Sequence, residues 1–357
     1  MNKKWIRRLV ILFIAIIVSF AGQTGVILFA RSHYLNKDLN VEFKDIPVDE
    51  ETSSKKEVTI PEDVDYIIPS NNGRYLLYVM GTEAHVVNIE DGTDKTLENL
   101  TVDGDNTYFY WHDIEEKLII SKTNEDGVLG LRMYNYNPKV GTVERALDYN
   151  NQERTYTIDN SNQRVTDLKI NNKSTNLYLK LATQYRSNIY RLDISYGIQK
   201  IELMSNNIGN YAILKDLDSI VYEEANSGNL YISDKSVSKL IKIDGINEIK
   251  LLGLDNNLLY VAEMEDGLVK SIHSTDLSEG YDSNTATWDK IDLDVKTEIE
   301  NISISRLGNI YYNDSEKGTV KDLKTGKKTK YEGKFIGVYK DKLITQEGNT
   351  IYRKTIK

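Results

Sequence analysis

Two short aromatic-rich runs contain the side chains best suited to bind a ligand. Tyr108, Tyr110 and Trp111 lie in one run, and Tyr281 and Trp288 lie in another. Each of these rings combines a large apolar surface with a hydrogen-bonding group, which suits a surface that binds sugars or peptides. The same rings also pack well between β-sheets, and that role is the simpler interpretation of both runs. These five residues are the candidate ligand surface.

The other chemistry-bearing residues form no catalytic or metal-binding pattern. The four histidines lie in different segments without ligand spacing; they are His33, His85, His112 and His273. Adjacent acids such as Glu115 and Glu116 point to opposite faces of a strand, so they make a poor acid–base pair. The chain has no cysteine, which excludes thiolate metal sites and a catalytic thiol. We therefore predict no catalytic residue, no cofactor and no metal site.

The elements that would position these residues are short strands built on one repeated pattern. Each copy is a β-branched and aromatic run bounded by Gly, Asn, Asp or Ser, as is typical of a repeat array. The copies are Asn176-Leu177-Tyr178-Leu179, Ile220-Val221-Tyr222, Asn229-Leu230-Tyr231-Ile232, Leu258-Leu259-Tyr260-Val261 and Asn309-Ile310-Tyr311-Tyr312. Tyrosine is abundant, with 24 copies against 6 Phe and 3 Trp. We expect it at half-exposed sheet positions, where its hydroxyl reaches water.

From about Asp63 onward the strands group into seven units separated by Gly-, Asn- and Asp-containing turns. In the fourth unit we place a strand at residues 240–243, and Gly245 separates it from the next strand. The last unit has room for only about three strands. We expect Val58-Thr59-Ile60 to supply its fourth strand, because this pairing would close the ring and remove two exposed edges.

These units resemble the divergent bacterial β-propeller superfamily, with its TolB-like and WD40-like repeats. The resemblance covers about residues 57–357 and rests on Asn-Leu-Tyr strands followed by phrases such as Ile189-Tyr190-Arg191-Leu192-Asp193. The Trp-Asp dipeptide of WD40 units occurs once, at Trp288-Asp289. The resemblance implies an all-β fold, a β-propeller of about seven (six to eight) four-stranded blades. Propellers host both enzymes and binding platforms, so the fold alone decides no function.

The N-terminal region has the pattern of a transmembrane anchor. Residues 1–8 form a basic tail, and residues 9–30 contain no charge and are long enough to cross a bilayer as a helix. The basic tail would stay in the cytosol. Alternatively, residues 9–18 are the apolar region of a signal peptide that is cleaved near Ser19-Phe20-Ala21. Residues 31–56 are polar and predict a flexible stalk that leads to an extracytoplasmic propeller at 57–357.

The net charge limits the choice of partner. The whole chain carries −9, and residues 1–8 contribute +4, so the remainder carries −13. A domain of this charge repels phosphate backbones, and we therefore expect no nucleic-acid partner.

Together these patterns predict a non-catalytic, single-pass membrane protein with a cytosolic N-terminus and an extracytoplasmic propeller. The propeller would act as a scaffold that binds an envelope protein or a wall polymer. Two alternatives stay open. One is a carbohydrate-active propeller, a hydrolase or lyase with its residues spread across blades. The other is an accessory subunit of a membrane complex.

Overall fold

Seven four-stranded antiparallel sheets make up the folded part of the chain. The computed structural model describes residues 56–112, 114–148, 150–171, 176–193, 197–214, 219–234, 237–305 and 308–356. Each sheet is one blade of a β-propeller, which confirms the predicted fold class and the number of repeats. The described residues contain three short 3₁₀ turns and no α-helix.

The blades follow one another along the chain, and only one strand is out of sequence order. That strand is β1 (Lys56–Thr59). Blades 1 to 3 consist of β2 (Tyr66–Pro69), β3 (Tyr75–Met80), β4 (Glu83–Asn88) and β5 (Asp94–Thr96); β6 (Thr107–Trp111), β7 (Leu118–Thr123), β8 (Leu131–Asn137) and β9 (Thr142–Arg145); β10 (Arg164–Ile170), β11 (Asn176–Ala182), β12 (Ser187–Asp193) and β13 (Gly197–Lys200). Blades 4 to 7 consist of β14 (Ile208–Ile213), β15 (Ile220–Glu224), β16 (Leu230–Asp234) and β17 (Val237–Leu240); β18 (Ile249–Asp255), β19 (Leu258–Glu265), β20 (Leu268–Asp276) and β21 (Asp289–Thr297); β22 (Ile302–Ile304), β23 (Ile310–Asp314), β24 (Thr319–Asp322) and β25 (Lys328–Lys330); β26 (Lys334–Tyr339), β27 (Lys342–Glu347) and β28 (Thr350–Thr355).

The N-terminal strand closes the ring. β1 pairs antiparallel with β28, with Val58 opposite Ile351, and becomes the outermost strand of blade 7. Val58 is 8% exposed and Ile60 is 3% exposed, and both pack in a cluster that contains Ile344 and Ile351. This pairing confirms the closure that the strand count predicts. The last blade gains its fourth strand from the other end of the domain.

The loops gather at two ends of the propeller, because successive strands of a blade run in opposite directions. Lettering the four strands of a blade A to D from the centre outward, one end holds the A–B and C–D loops, and we name it the AB–CD end. The other holds the B–C loops and the D–A linkers between blades, and we name it the DA–BC end. Because β1 is a D strand that starts at Lys56, the chain enters the propeller at the AB–CD end.

The tyrosines of the repeat divide into two groups: Tyr231 and Tyr312 are half-buried as expected, whereas others are fully buried, which the expectation did not foresee. Tyr78, Tyr178, Tyr222 and Tyr260 are each 2% exposed or less. The Tyr222 hydroxyl accepts a hydrogen bond from the backbone N–H of residue 204 at 3.2 Å and donates to the Ser238 hydroxyl at 3.0 Å. A residue of the same blade and a residue of the linker to the preceding blade therefore supply the polar partners of this hydroxyl.

One strand boundary also differs from the sequence prediction. The strand that we place at residues 240–243 ends at Leu240, as β17. The N–H of Lys242 donates instead to the hydroxyl of Tyr281 at 3.1 Å, which takes that residue out of the sheet ladder. The following strand, β18, begins at Ile249, after Gly245 as predicted.

The predicted basic tail and membrane anchor, and all but the last residue of the predicted stalk, lie outside the described residues. Within the described part of the chain, no helix has the length and apolar character needed to cross a membrane. The described structure begins with the closing strand.

Candidate functional site

The first aromatic run forms β6, the innermost strand of blade 2. Trp111 is 3% exposed, and its ring stacks on Tyr75 of blade 1 with the ring centroids 6.1 Å apart. Its indole N–H donates to the carbonyl of Ile68 at 2.9 Å. Trp111 therefore joins blades 1 and 2 and presents no ring face to a ligand.

Tyr108 and Tyr110 point to the other face of the same strand, toward blade 3. Both are partly buried and pack on the apolar cluster between these blades. The Tyr108 hydroxyl lies 3.5 Å from a carboxylate oxygen of Asp167. Burial and this carboxylate raise the pKa of Tyr108 well above its usual range. These two tyrosines therefore form part of the joint between blades 2 and 3.

The second run lies in residues 277–288, which connect β20 to β21 and which we name the blade 5 insert. Tyr281 is 5% exposed, and its hydroxyl accepts from Lys242 N–H at 3.1 Å and donates to Lys242 O at 3.3 Å. The Lys239 ammonium donates to the carbonyl of Tyr281 at 3.0 Å. Trp288 is half-buried and packs on the apolar cluster between blades 4 and 5, to which Tyr281 also belongs. Tyr281 thus fastens the insert to the outer part of blade 4.

The five candidate aromatics therefore lie in two separate places. Tyr108, Tyr110 and Trp111 lie on the inner strand of blade 2, whereas Tyr281 and Trp288 lie at the perimeter between blades 4 and 5. They do not form one shared surface. Tyr281 is the candidate that lines the outer concavity described next.

A cavity of about 1040 Å³ surrounds the outer strand of blade 4, and we name it the outer cleft. Its floor is the outer half of blade 4, which includes Ile232, Asp234, Val237 and Lys239. One wall comes from blade 3 and the other from the blade 5 insert. The volume is that of a typical ligand-binding concavity.

The blade 3 wall is predominantly cationic. Arg191 and Lys200 line it, together with Gln199 and the exposed carboxylate of Glu202. A guanidinium nitrogen of Arg191 donates to the amide oxygen of Gln199 at 3.3 Å. This wall offers several hydrogen-bond donors to a ligand.

The insert wall is anionic. Asp276, Glu279 and Asp282 are exposed and line it, alongside threonine and serine hydroxyls. The carboxylate of Asp276 accepts the backbone N–H of Ser278 at 2.8 Å. Two hydrogen bonds from Ser278 lower the pKa of Asp276: the hydroxyl makes the larger contribution and the backbone N–H the smaller one. The two walls of the outer cleft therefore carry opposite charge.

The arrangement of these groups suits binding better than catalysis. The acids of the insert wall are exposed, and a general acid needs a carboxyl group whose pKa is raised by burial or by a neighbouring charge. No histidine is present among the described residues that line the cleft. The groups present are hydrogen-bond donors, acceptors and opposite charges.

A second chemistry-bearing cluster lies inside blade 5. The Ser271 hydroxyl donates to Glu263 at 2.5 Å and lies 2.9 Å from Nε2 of His273, and the same Nε2 lies 3.2 Å from Glu263. A serine-hydrolase arrangement needs the two ring nitrogens of histidine to serve different partners. Ser271 is 0% exposed, so no substrate reaches its hydroxyl. We assign this cluster a structural role.

Among the described residues, His112 and His85 also hold the fold, and His33 lies outside the described part of the chain. His112 is 5% exposed, and its Nδ1 accepts the backbone N–H groups of Ile114 and Glu115 at 3.1 and 3.0 Å. His85 stacks on Tyr78 with the ring centroids 4.8 Å apart. Within the residues that the structure describes, no three His, Cys, Asp or Glu side chains come together as a potential metal site.

Sequence reasoning identified only one side chain of the outer cleft, Tyr281. Arg191, Lys200 and Asp234 belong to other blades and have no distinctive spacing in the sequence. One signal was available, because the blade 5 insert is longer than its counterparts. The corresponding connections in blades 1, 2 and 6 are residues 89–93, 138–141 and 323–327. A long connection in a propeller commonly carries function.

The two ends of the propeller differ in charge. Exposed acids dominate the described part of the DA–BC end; they are Glu62, Asp63, Asp65, Glu98, Asp103, Asp105, Glu153, Asp159, Glu202, Asp244, Glu248, Asp266, Glu298, Glu300, Glu316 and Glu332. The exposed cations in the same connections are Arg186, Lys242 and Lys317. At the AB–CD end, exposed Lys139, Lys324, Lys327 and Lys340 offset acids such as Glu90 and Glu115. The excess negative charge thus lies opposite the end where the chain enters.

Comparison with known proteins identifies the fold and nothing finer. No family model matches the chain, and no curated protein matches it. Among solved structures, an oligogalacturonate lyase in complex with manganese aligns with a TM-score of 0.55 at 9% identity, over 85% of this chain and 91% of that chain. The oligogalacturonate lyase of Vibrio parahaemolyticus aligns with a TM-score of 0.55 at 10% identity, over 83% and 92%. The β-propeller domain of Cps50 (Swd1) from Myceliophteria thermophila aligns with a TM-score of 0.52 at 12% identity, over 84% and 98%. At these identities the likeness establishes a seven-bladed propeller architecture, which both enzymes and scaffolds use.

Proposed function

We propose that this chain is a non-catalytic binding module, a membrane-tethered extracytoplasmic propeller that binds an envelope protein or a wall polymer in the outer cleft. The observation that carries the proposal is the cleft itself. It is a large polar concavity with a cationic wall on blade 3 and an anionic wall on the blade 5 insert. Its groups are exposed and arranged to hold a ligand.

The place where the chain enters the propeller supports the tether. The uncharged residues 9–30 precede Lys56, which lies at the AB–CD end. A tether attached there leaves the acidic DA–BC end opposite the attachment. An anionic bilayer surface attracts basic segments and repels acidic ones, so this polarity suits a membrane-anchored domain.

The alternative of a carbohydrate-active enzyme receives its support from the two lyase neighbours, which share only the fold. Oligogalacturonate is therefore the first glycan to assay. The alternative of an accessory subunit uses the same cleft, with a membrane protein as the occupant, and co-purification from membranes distinguishes it.

The test uses full-length protein in detergent, immobilised through its C-terminus. Solubilised envelope proteins, wall fragments and oligogalacturonate are applied as separate probes. Val237→Glu adds a charge to the cleft floor, where Val237 is 62% exposed, and Val295→Glu is the matched control on β21, where Val295 is 65% exposed. We expect one probe class to be retained, and we expect Val237→Glu alone to abolish that retention.

Two results would overturn the proposal. Equal retention by both variants would show that the outer cleft is not the binding surface. Release of shortened products from oligogalacturonate or from wall fragments would establish an enzyme.

A further inference from the structure

We infer that the partner binds in the outer cleft as an added β-strand: an extended polypeptide segment pairs with the free edge of β17. This inference rests on the proposed binding function and specifies the class of ligand. Strand addition supplies affinity through backbone hydrogen bonds and specificity through alternate side chains.

The pairing register shows which backbone groups β17 offers. β17 is the outermost strand of blade 4 and pairs only with β16 among the described strands. The N–H of Ile241 donates to Leu230 O at 2.8 Å, just beyond the paired residues Leu240 and Tyr231. Alternation of the antiparallel ladder then directs the backbone groups of Lys239 toward β16. Those of Ser238 and Leu240 point outward, to the position of an added strand.

Two concave surfaces border this edge. The outer cleft borders Val237 and Lys239. A second cavity of about 510 Å³ borders Lys239, Leu240, Lys242 and Tyr281. Lys239, Tyr281 and Asp282 line both cavities, so the two hollows adjoin each other beside β17 and leave room for the side chains of an added strand.

The outer strands of this propeller differ in how far they are protected against pairing with another strand. Edge strands are normally guarded against pairing by charge or by shortness. β21 carries a charge at Asp289, Lys290, Asp292, Asp294 and Lys296, and β5 and β25 are each three residues long. β17 is four residues long and carries one charge, at Lys239, whose ammonium is bonded to the carbonyl of Tyr281; its first residue, Val237, is 62% exposed. An apolar residue on an open edge is typical of a strand that pairs with a partner.

The charges beside the edge define the segment that fits. Arg191 and Lys200 lie on the blade 3 side, and Glu279 and Asp282 lie on the insert side. An extended segment with an acidic residue toward blade 3 and a basic residue toward the insert complements both walls. Such charges set specificity and the association rate more than they set affinity.

A glycan fits this surface less well. The apolar anchor for a sugar ring would be an exposed aromatic face, but Tyr281 is 5% exposed and its hydroxyl is bonded to Lys242. Trp288 packs on the cluster between blades 4 and 5. The groups that the edge presents are main-chain donors and acceptors, which match a polypeptide backbone.

The test uses full-length protein and a fluorescein-labelled nine-residue peptide that alternates Val and Thr, with Asp at one end and Lys at the other. Binding is measured by fluorescence anisotropy. Two further peptides are N-methylated at alternate backbone nitrogens. One is methylated along the edge that faces β17, and the other along the opposite edge. Methylation of the edge that faces β17 should weaken binding by about tenfold or more, because two hydrogen bonds of about 1 kcal/mol are lost. Methylation of the other edge should have little effect.

A pair of protein variants completes the test. Leu240→Pro removes an outward N–H without removing a hydrogen bond to β16, whereas Leu240→Val retains that outward N–H. The inference predicts that Leu240→Pro abolishes binding and that Leu240→Val does not, with unchanged melting temperatures confirming the fold. Equal effects of the two methylated peptides, no peptide binding, or peptide binding by Leu240→Pro would overturn it. If wall fragments bind and are lost in Val237→Glu while peptides never bind, the proposed function stands and the polypeptide inference fails.

Discussion

Replacing Val58 by alanine should lower the free energy of unfolding by about 1.5–2.5 kcal/mol. Val58 is 8% exposed and packs beside Ile351, its partner in the ladder between the first and last strands. The substitution removes two buried carbon atoms at about 0.8 kcal/mol each, and incomplete relaxation adds a cavity term. For a domain of this size, each kcal/mol shifts the melting temperature by about 2–4 °C. The result reports on closure because the closing strand contributes few other buried side chains.

The assay is urea unfolding of the full-length protein in detergent, followed by circular dichroism, with thermal melting as a second measurement. Val295→Ala is the control, because Val295 is 65% exposed and its truncation should change stability by less than about 0.5 kcal/mol. A double-mutant cycle with Ile351→Val should show a coupling energy of about 0.5 kcal/mol or more. A Val58→Ala effect no larger than that of the control, with no coupling, would refute ring closure by β1.

The remaining predictions concern a partly buried carboxylate, a tyrosine that bonds a linker between blades, and a turn. Hydrogen bonding from the Ser271 hydroxyl, followed by contacts with a lysine and a histidine, holds the pKa of Glu263 at about 2, below its usual 4.5. The stability that the Glu263 carboxylate contributes is therefore present above pH 4.5 and is lost as the pH falls toward 2. In Glu263→Gln, the free energy of unfolding should depend less on pH between 4.5 and 2 than in the unsubstituted protein. An unchanged dependence in this range would contradict the assignment. Tyr222→Phe should cost about 1–2 kcal/mol in urea unfolding, because two partly buried groups lose their hydrogen-bond partner. These groups are the N–H of Met204, in the linker between blades 3 and 4, and the hydroxyl of Ser238 on β17; no change would show that water replaces the phenol. Gly333→Ala should destabilise more than Gly348→Ala, since both residues have positive φ but only at Gly333 would a Cβ overlap a backbone carbonyl; equal melting temperatures would refute the packing argument.

The fold was predictable because it repeats. Each blade needs the same short strands and tight turns, so the pattern around Tyr178, Tyr222 and Tyr260 identified the units before any contact was known. The closing strand was predictable for a related reason. The last unit was one strand short, and Val58 lay in an apolar run without a unit of its own.

The outer cleft was not predictable, because it is assembled from three blades. Arg191, Asp234 and Asp282 meet only after the blades close into a ring, and no local spacing links them. The aromatic candidates show the opposite problem. Trp111 has the residue type of a binding site, but its indole N–H and its ring are used between blades. Residue type alone does not distinguish a ring that binds from a ring that packs.

Site-specific photo-cross-linking in intact membranes tests the central claim most directly. A benzophenone amino acid is placed at Val237 on the cleft floor, and in a separate variant at Val295 on the edge of blade 5. We predict one reproducible polypeptide conjugate from position 237, suppressed by the alternating Val/Thr peptide, and none of that conjugate from position 295. No conjugate at 237, or the same conjugate from both positions, would contradict a binding surface in the outer cleft.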